Sequence, residues 1–180
     1  MLPKNKYHQY LFQTLLPGRI KSNIFDTAFI PVRQSVRLTV YTDYALRLLM
    51  YVALKKEGLV TIQEVAGAYG ISRNHLMKVA YDLGRFGYLE TVRGRGGGLR
   101  LARAPEKIGL GDVVRRMEED FTLVECFATG ASTCRIDGPC RLQHVLNDAL
   151  KAYLGVLDRY SLADLTTRNT GLARLLLVAG

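Results

Sequence analysis

Residues 72–102 read Ser72-Arg-Asn-His-Leu-Met-Lys-Val-Ala-Tyr-Asp-Leu-Gly-Arg85, then Phe86-Gly-Tyr-Leu-Glu-Thr-Val92, then Arg93-Gly-Arg-Gly-Gly-Gly-Leu-Arg-Leu-Ala102, and this stretch decides the fold. Leu76, Val79, Ala80 and Leu83 recur at helical spacing and share one side of a helical wheel. Arg73, Asn74, His75, Lys78, Asp82 and Arg85 share the other. Ser72 stands where such a helix needs its N-cap. Beyond Gly87, two short alternating runs at 88–93 and 99–102 flank the glycine-rich 94–98, which predicts a β-hairpin.

Upstream, Thr61-Ile-Gln-Glu64 reads as a capping box opening a short helix with Val65, Ala66 and Tyr69, punctuated by Gly70. Before it, order is expected from Thr42, where Ala45, Leu48, Leu49, Val52 and Ala53 make one apolar face and Gly58 closes the helix. Helix, short helix, glycine turn, helix and hairpin together predict a winged helix–turn–helix. Downstream, Pro105 breaks the chain and Leu110 to Met117 resume as a helix. A long amphipathic helix follows, with Leu142, Val145, Leu146, Ala149, Tyr153, Val156, Leu157 and Tyr160 on one stripe. Residues 161–165 start a further short helix, and the tail from 169 shows no clear order. The expected class is mainly α with a small β-wing. Its expected parts are an extension at 1–35, a DNA-binding domain at 36–120, a loop at 121–140, a long-helix region at 141–168 and a tail at 169–180.

The 180-residue chain carries a formal net charge of +9 and a sequence pI near 9.6. The excess is local. Seven basic residues against two acidic ones fall within 72–103, whereas 121–180 holds six against five. A concentrated positive field is the footprint of a polyanionic partner. No run approaches the ~20 apolar residues of a membrane span, and no secretory signal precedes the fold. The chain therefore reads as cytoplasmic.

A helix fits the major groove and presents its polar side to base edges and phosphates. Ser72, Arg73, Asn74, His75 and Lys78 are the candidate contacts there, with Ser72 also able to hand a hydrogen bond to phosphate. At the hairpin tip, Arg93 and Arg95 suit a narrow minor groove, and Gly96 and Gly97 allow close backbone approach. The tip lacks the Lys-Ser/Thr of a phosphate-binding loop, so a nucleotide site is not expected.

Cys126, Cys134 and Cys140 lie within fifteen residues of one another in a Gly/Thr-rich loop. In a reducing compartment such a group binds metal more readily than it forms disulfides. The short CxxC pairs of zinc sites are absent. Wider spacing suits an iron–sulfur cluster; buried, unliganded cysteines are the alternative. A cluster needs a fourth ligand, for which Glu125, Asp137 and His144 are nearby candidates. With only His8, His75 and His144 in the chain and no nucleophile–base pair, an enzyme is not expected.

Together these residues resemble the NsrR group of winged-helix repressors, in a family that also includes the IscR regulators. The resemblance runs from about Val36 to Leu165. It rests on Val36-Arg-Leu-Thr-Val-Tyr-Thr-Asp43-Tyr-Ala-Leu-Arg47, on Ser72 to Val79, on Arg93 to Gly98, on Val124-Glu-Cys126-Phe and on Gly138-Pro-Cys140-Arg-Leu. It implies a homodimer joined through the long helix and a 4Fe–4S cluster (2Fe–2S as the lesser option) on the three cysteines. It further implies a fourth ligand, Asp43, from the partner subunit, and operator release when nitric oxide nitrosylates the cluster. A carboxylate at a helix start has a simpler role in steadying the helix dipole. IscR-like members carry a histidine three residues after the last cysteine. Gln143 stands there in this chain and His144 follows, which weakens the alternative of a sensor of iron–sulfur or redox status. Family chains begin at the position of Val36, which a GTG start codon would encode. Residues 1–35, with Pro3, Pro17 and Pro31 and no sustained period, are accordingly expected to lie upstream of the true start or to form a weakly ordered arm.

Overall fold

The computed structural model describes residues 37–127, 133–136 and 139–177. The expected 1–35 extension, Val36 and the candidate ligand Asp137 lie outside the described residues.

The first helix, α1 (Val40–Leu54), opens two residues before Thr42 because Thr39 caps it, its hydroxyl accepting from the Thr42 N–H at 3.2 Å. Thr42 itself is buried. Ala45, Leu48, Leu49 and Val52 form the buried face that periodicity predicts, and Ala53 packs at its edge. The next helix, α2 (Ile62–Tyr69), carries the expected capping box: Glu64 N–H donates to the Thr61 hydroxyl and Thr61 N–H to the Glu64 carboxylate. Gly70 ends it in the left-handed conformation that glycine adopts without penalty.

The third helix, α3 (Arg73–Arg85), buries Leu76, Val79, Ala80 and Leu83 against α1 and α2. Ser72 occupies its N-cap position, but the side chain makes no capping hydrogen bond. Its hydroxyl is exposed instead.

Strands β1 (Leu89–Val92) and β2 (Gly98–Leu101) pair antiparallel, Leu89 opposite Leu101 and Val92 opposite Gly98. Gly98, read from the sequence as part of the turn, belongs to the strand. The cause is a third partner invisible to local patterning. Val60 exchanges two backbone hydrogen bonds with Leu99, at 2.9 and 2.7 Å. A Cβ on Gly98 would sit 2.8 Å from the Val60 carbonyl oxygen. The wing is thus stitched to the segment before α2 and does not hang free.

A single turn at Pro105–Lys107 leads into α4 (Leu110–Met117), whose bounds match the sequence expectation and whose Val113, Val114 and Met117 are buried. The long helix α5 (Arg141–Leu157) ends before Tyr160, which lies outside it. It contains no buried residue, and Leu142, Val145, Tyr153 and Val156 are 59, 61, 41 and 43% exposed. Helix α6 (Leu162–Thr166) starts with a second capping box, Ser161 with Asp164. The tail proves to be a helix, α7 (Thr170–Leu177), with Leu176 buried in the core. Its repeat of only two turns is too short to stand out as a period. No helix among the described residues is long and apolar enough to cross a membrane.

Candidate nucleic-acid interface and cysteine loop

On α3, Arg73, Asn74, His75 and Lys78 are all exposed. His75 leans towards α1, its ring centroid 6.2 Å from that of Tyr44. Asp82 is not a free member of this face, because its carboxylate accepts from the Tyr41 hydroxyl at 2.6 Å and faces Arg85 at 3.5 Å. Burial first, then this hydrogen bond and the Asp82 charge, push the Tyr41 hydroxyl up to about 12.

The hairpin tip exposes Arg93, Arg95 and Gly96 and leaves Gly97 half-buried. Gly94 and Gly96 have φ of +103° and +78°, the region where side chains are strained. At Gly97 a Cβ would collide with the Val92 carbonyl. The glycine run is therefore demanded by the turn's own geometry.

Ion pairing sharpens the basic footprint. Arg100 binds Glu90 through two hydrogen bonds, at 2.9 and 3.0 Å. Arg103 donates to the Gly87 and Phe86 carbonyls and stacks 4.9 Å from the Tyr88 ring. Both arginines counted by sequence as part of the field are thus spent on bracing the wing. Among the described residues, Arg73, Lys78, Arg93 and Arg95 make no ion pair. These four cations lie at the start of α3 and at the wing tip, the two candidate contact regions. Sequence counting missed this selection, for which the charge pattern Glu90/Arg100 across the hairpin was the available signal.

The cysteine loop joins α4 to α5. Cys126 lies in the single turn Glu125–Phe127, and Cys140 holds the N-cap position of α5. All three cysteines are half-buried and lie outside the hydrophobic core. Soft donors outside a packed interior fit the chemistry of thiolate-held iron. Among the described residues no three Cys, His, Asp or Glu side chains converge as a metal site. Glu125, a candidate fourth ligand, accepts from the Thr133 backbone N–H at 3.1 Å and from the Thr133 hydroxyl. It thereby ties the two sides of the loop. His144 is exposed one turn into α5. Asp43 is half-exposed in the first turn of α1 and bound by Arg47, one turn on, at 2.8 and 3.0 Å.

Comparison with known proteins agrees with this layout. A model of the Rrf2 family, described as an iron-dependent transcriptional regulator, matches residues 38–168. The HTH-type transcriptional regulator NsrR of Bacillus subtilis is 52% identical over 142 residues, 78% of this chain and 97% of that protein. That of Halalkalibacterium halodurans is 51% identical over 142 residues, again 78% and 97%. Among solved structures, CymR of B. subtilis, the global cysteine regulator, superposes with a TM-score of 0.58 at 26% identity, over 73% of this chain and 97% of that one. IscR of T. potens gives a TM-score of 0.57 at 25% identity, over 73% and 86%. The matched span holds the winged helix, the cysteine loop and α5 alike, and the relatives are matched over nearly their whole length. This chain is a DNA-binding transcriptional regulator and belongs to the Rrf2 family.

Proposed function

We propose that the chain acts as a homodimeric repressor that loses its operator when nitric oxide reaches an iron–sulfur cluster, of 4Fe–4S type, held by Cys126, Cys134 and Cys140. Two copies meet along α5. Each places α3 in the major groove and the tip residues Arg93 and Arg95 in the adjacent minor groove of an inverted-repeat, A·T-rich site. Ser72, Arg73, Asn74, His75 and Lys78 contact bases and phosphates, and Gly96 and Gly97 let the tip approach closely. The relatives named NsrR support the assignment at half identity.

The observation that carries the reading is where the thiols stand. They occupy the segment between a helix packed in the DNA-reading core and a helix whose apolar side is exposed. When bound, the cluster would supply iron that nitric oxide can attack in exchange for a weakly held oxygen ligand. Cys140 begins α5, so its ligation fixes where that helix starts. Cys126, in the turn Glu125–Phe127 downstream of α4, fixes the other side of the loop. Asp43 of the partner subunit is the proposed fourth ligand, in which case its carboxylate is shared with Arg47. His144, exposed beside Cys140, is the lesser candidate and the one an IscR-type sensor of iron–sulfur or redox status would use.

The test is an absorbance spectrum with iron and sulfide content on protein purified without oxygen, paired with operator binding before and after nitric oxide. A visible band, about four iron per chain and release by nitric oxide support the reading. Release by mild oxidant with indifference to nitric oxide moves the signal to redox status. Unchanged tight operator binding by Cys126→Ala overturns the mechanism.

A further inference from the structure

We infer that Met77 and Tyr81 read thymine methyl groups in the operator; this deepens the DNA-binding reading and rests on it. Residues 73, 77, 81 and 85 form one row along α3, spaced four apart, and in this chain they are Arg73, Met77, Tyr81 and Arg85. The row is cationic at both ends and apolar in the middle. Met77 is 50% and Tyr81 67% exposed, although the same helix has a complete buried face in Leu76, Val79, Ala80 and Leu83. Two adjacent large apolar side chains between two arginines make a mixed apolar and cationic patch on this face.

Dimension and charge identify the occupant. The helix from Arg73 to Arg85 spans roughly 18 Å, longer than a major groove is wide at about 12 Å, so Arg73 meets one phosphate wall while Arg85 stays beside Asp82 and the Tyr81 ring. Met77 and Tyr81 then face the groove floor, where the thymine C5-methyl is the apolar feature available to an apolar side chain. The acid on this face does not oppose the approach. Asp82 is turned to the Tyr41 hydroxyl at 2.6 Å and is partnered by Arg85. Between Tyr41, Met77, Lys78, Tyr81 and Asp82 lies a shallow groove of about 440 Å³. The Arg85 guanidinium carbon lies 5.9 Å from the centre of the Tyr81 ring. The patch is continuous with Asn74 and Lys78, already placed at the DNA interface.

The test uses the full chain purified without oxygen and an operator selected by it from random duplex DNA. Each thymine is replaced in turn by deoxyuridine, which lacks only the methyl group. One buried methyl is worth about a four-fold change in affinity, so one or more positions in each half-site should weaken binding by roughly that factor. Met77→Ala and Tyr81→Ala should bind the thymine operator several-fold more weakly and no longer distinguish thymine from uracil at their positions. Both residues are exposed, so folding is retained and is checked by melting. Uniform indifference of the wild-type chain to uracil overturns the inference, as does full discrimination by both variants. In either case Arg73→Ala and Lys78→Ala still weaken binding if the DNA-reading helix is right. Failure to select any sequence overturns that reading as well.

Discussion

Arg115 in α4 grips Asp158, the C-cap of α5, through two parallel hydrogen bonds of 2.5 and 2.7 Å. This contact bridges the reading core and the far end of the long helix, and Gly111 lies so close beneath that a Cβ there would collide with the Asp158 carboxylate. Both side chains are over two-fifths exposed, so the pair contributes little to stability. A double-mutant cycle with Arg115→Ala and Asp158→Ala should return a coupling of about 1 kcal/mol or less. Its larger effect should be on operator affinity, because losing it loosens the angle of α5. Equal affinity in wild type and Arg115→Ala at matched dimer concentration would count against a positioning role.

Acid should weaken the protein through Asp112. Burial raises this carboxyl, but hydrogen bonds from Tyr88 at 2.5 Å and Arg116 at 3.0 Å, with the Arg116 and Arg103 charges, outweigh it and hold it below the usual carboxylate value. A group depressed in the folded state contributes stability above its unfolded pKa and loses it as pH falls through the folded one. Denaturant unfolding from about pH 5 downward should therefore show a steeper loss for wild type than for Asp112→Asn. Parallel curves would remove Asp112 from the account.

The wing tip separates two kinds of glycine. Gly96→Ala meets nothing within 4 Å but must hold φ near +78°, which costs about 1 kcal/mol. Gly97→Ala cannot be accommodated without moving the Val92 carbonyl. It should lower operator affinity by roughly tenfold or more while the core melts almost as before. The comparison needs only melting curves and a binding titration on the two variants.

For the α5 face, Val145→Glu places a charge where the proposed dimer buries an apolar surface. A stable interface buries on the order of 1,200 Å² or more, and an unpaired charge within it is costly. Sedimentation should show the variant as monomer, with operator binding lost and helical content kept. A Val145→Glu dimer of unchanged strength would put the interface elsewhere.

Much of this was legible locally. The capping box of Thr61 with Glu64, the bounds of α4 and the buried row of α3 depend on residues within a turn or two of one another, so spacing alone reveals them. The Val60–Leu99 bridge and the Arg115–Asp158 pair join residues 39 and 43 positions apart, and no period announces them. The same distance effect hid the spent charges: Arg103 looks like part of the DNA field until its guanidinium is seen on the Gly87 carbonyl. For the cysteines the donor chemistry is readable from the chain. Their mutual arrangement is not, because no period fixes the geometry of an irregular loop.

The two hydrogen bonds between Val60 and Leu99 have a mechanical corollary. With the hairpin riveted to the segment that feeds α2, and α3 packed against β1, the proposed groove-reading helix and minor-groove tip form one tool with a fixed offset. Such a tool cannot be blunted gently by bending its parts. In the proposed dimer, a signal entering at Cys140 would have its leverage on the distance between two such tools, like the jaws of a caliper.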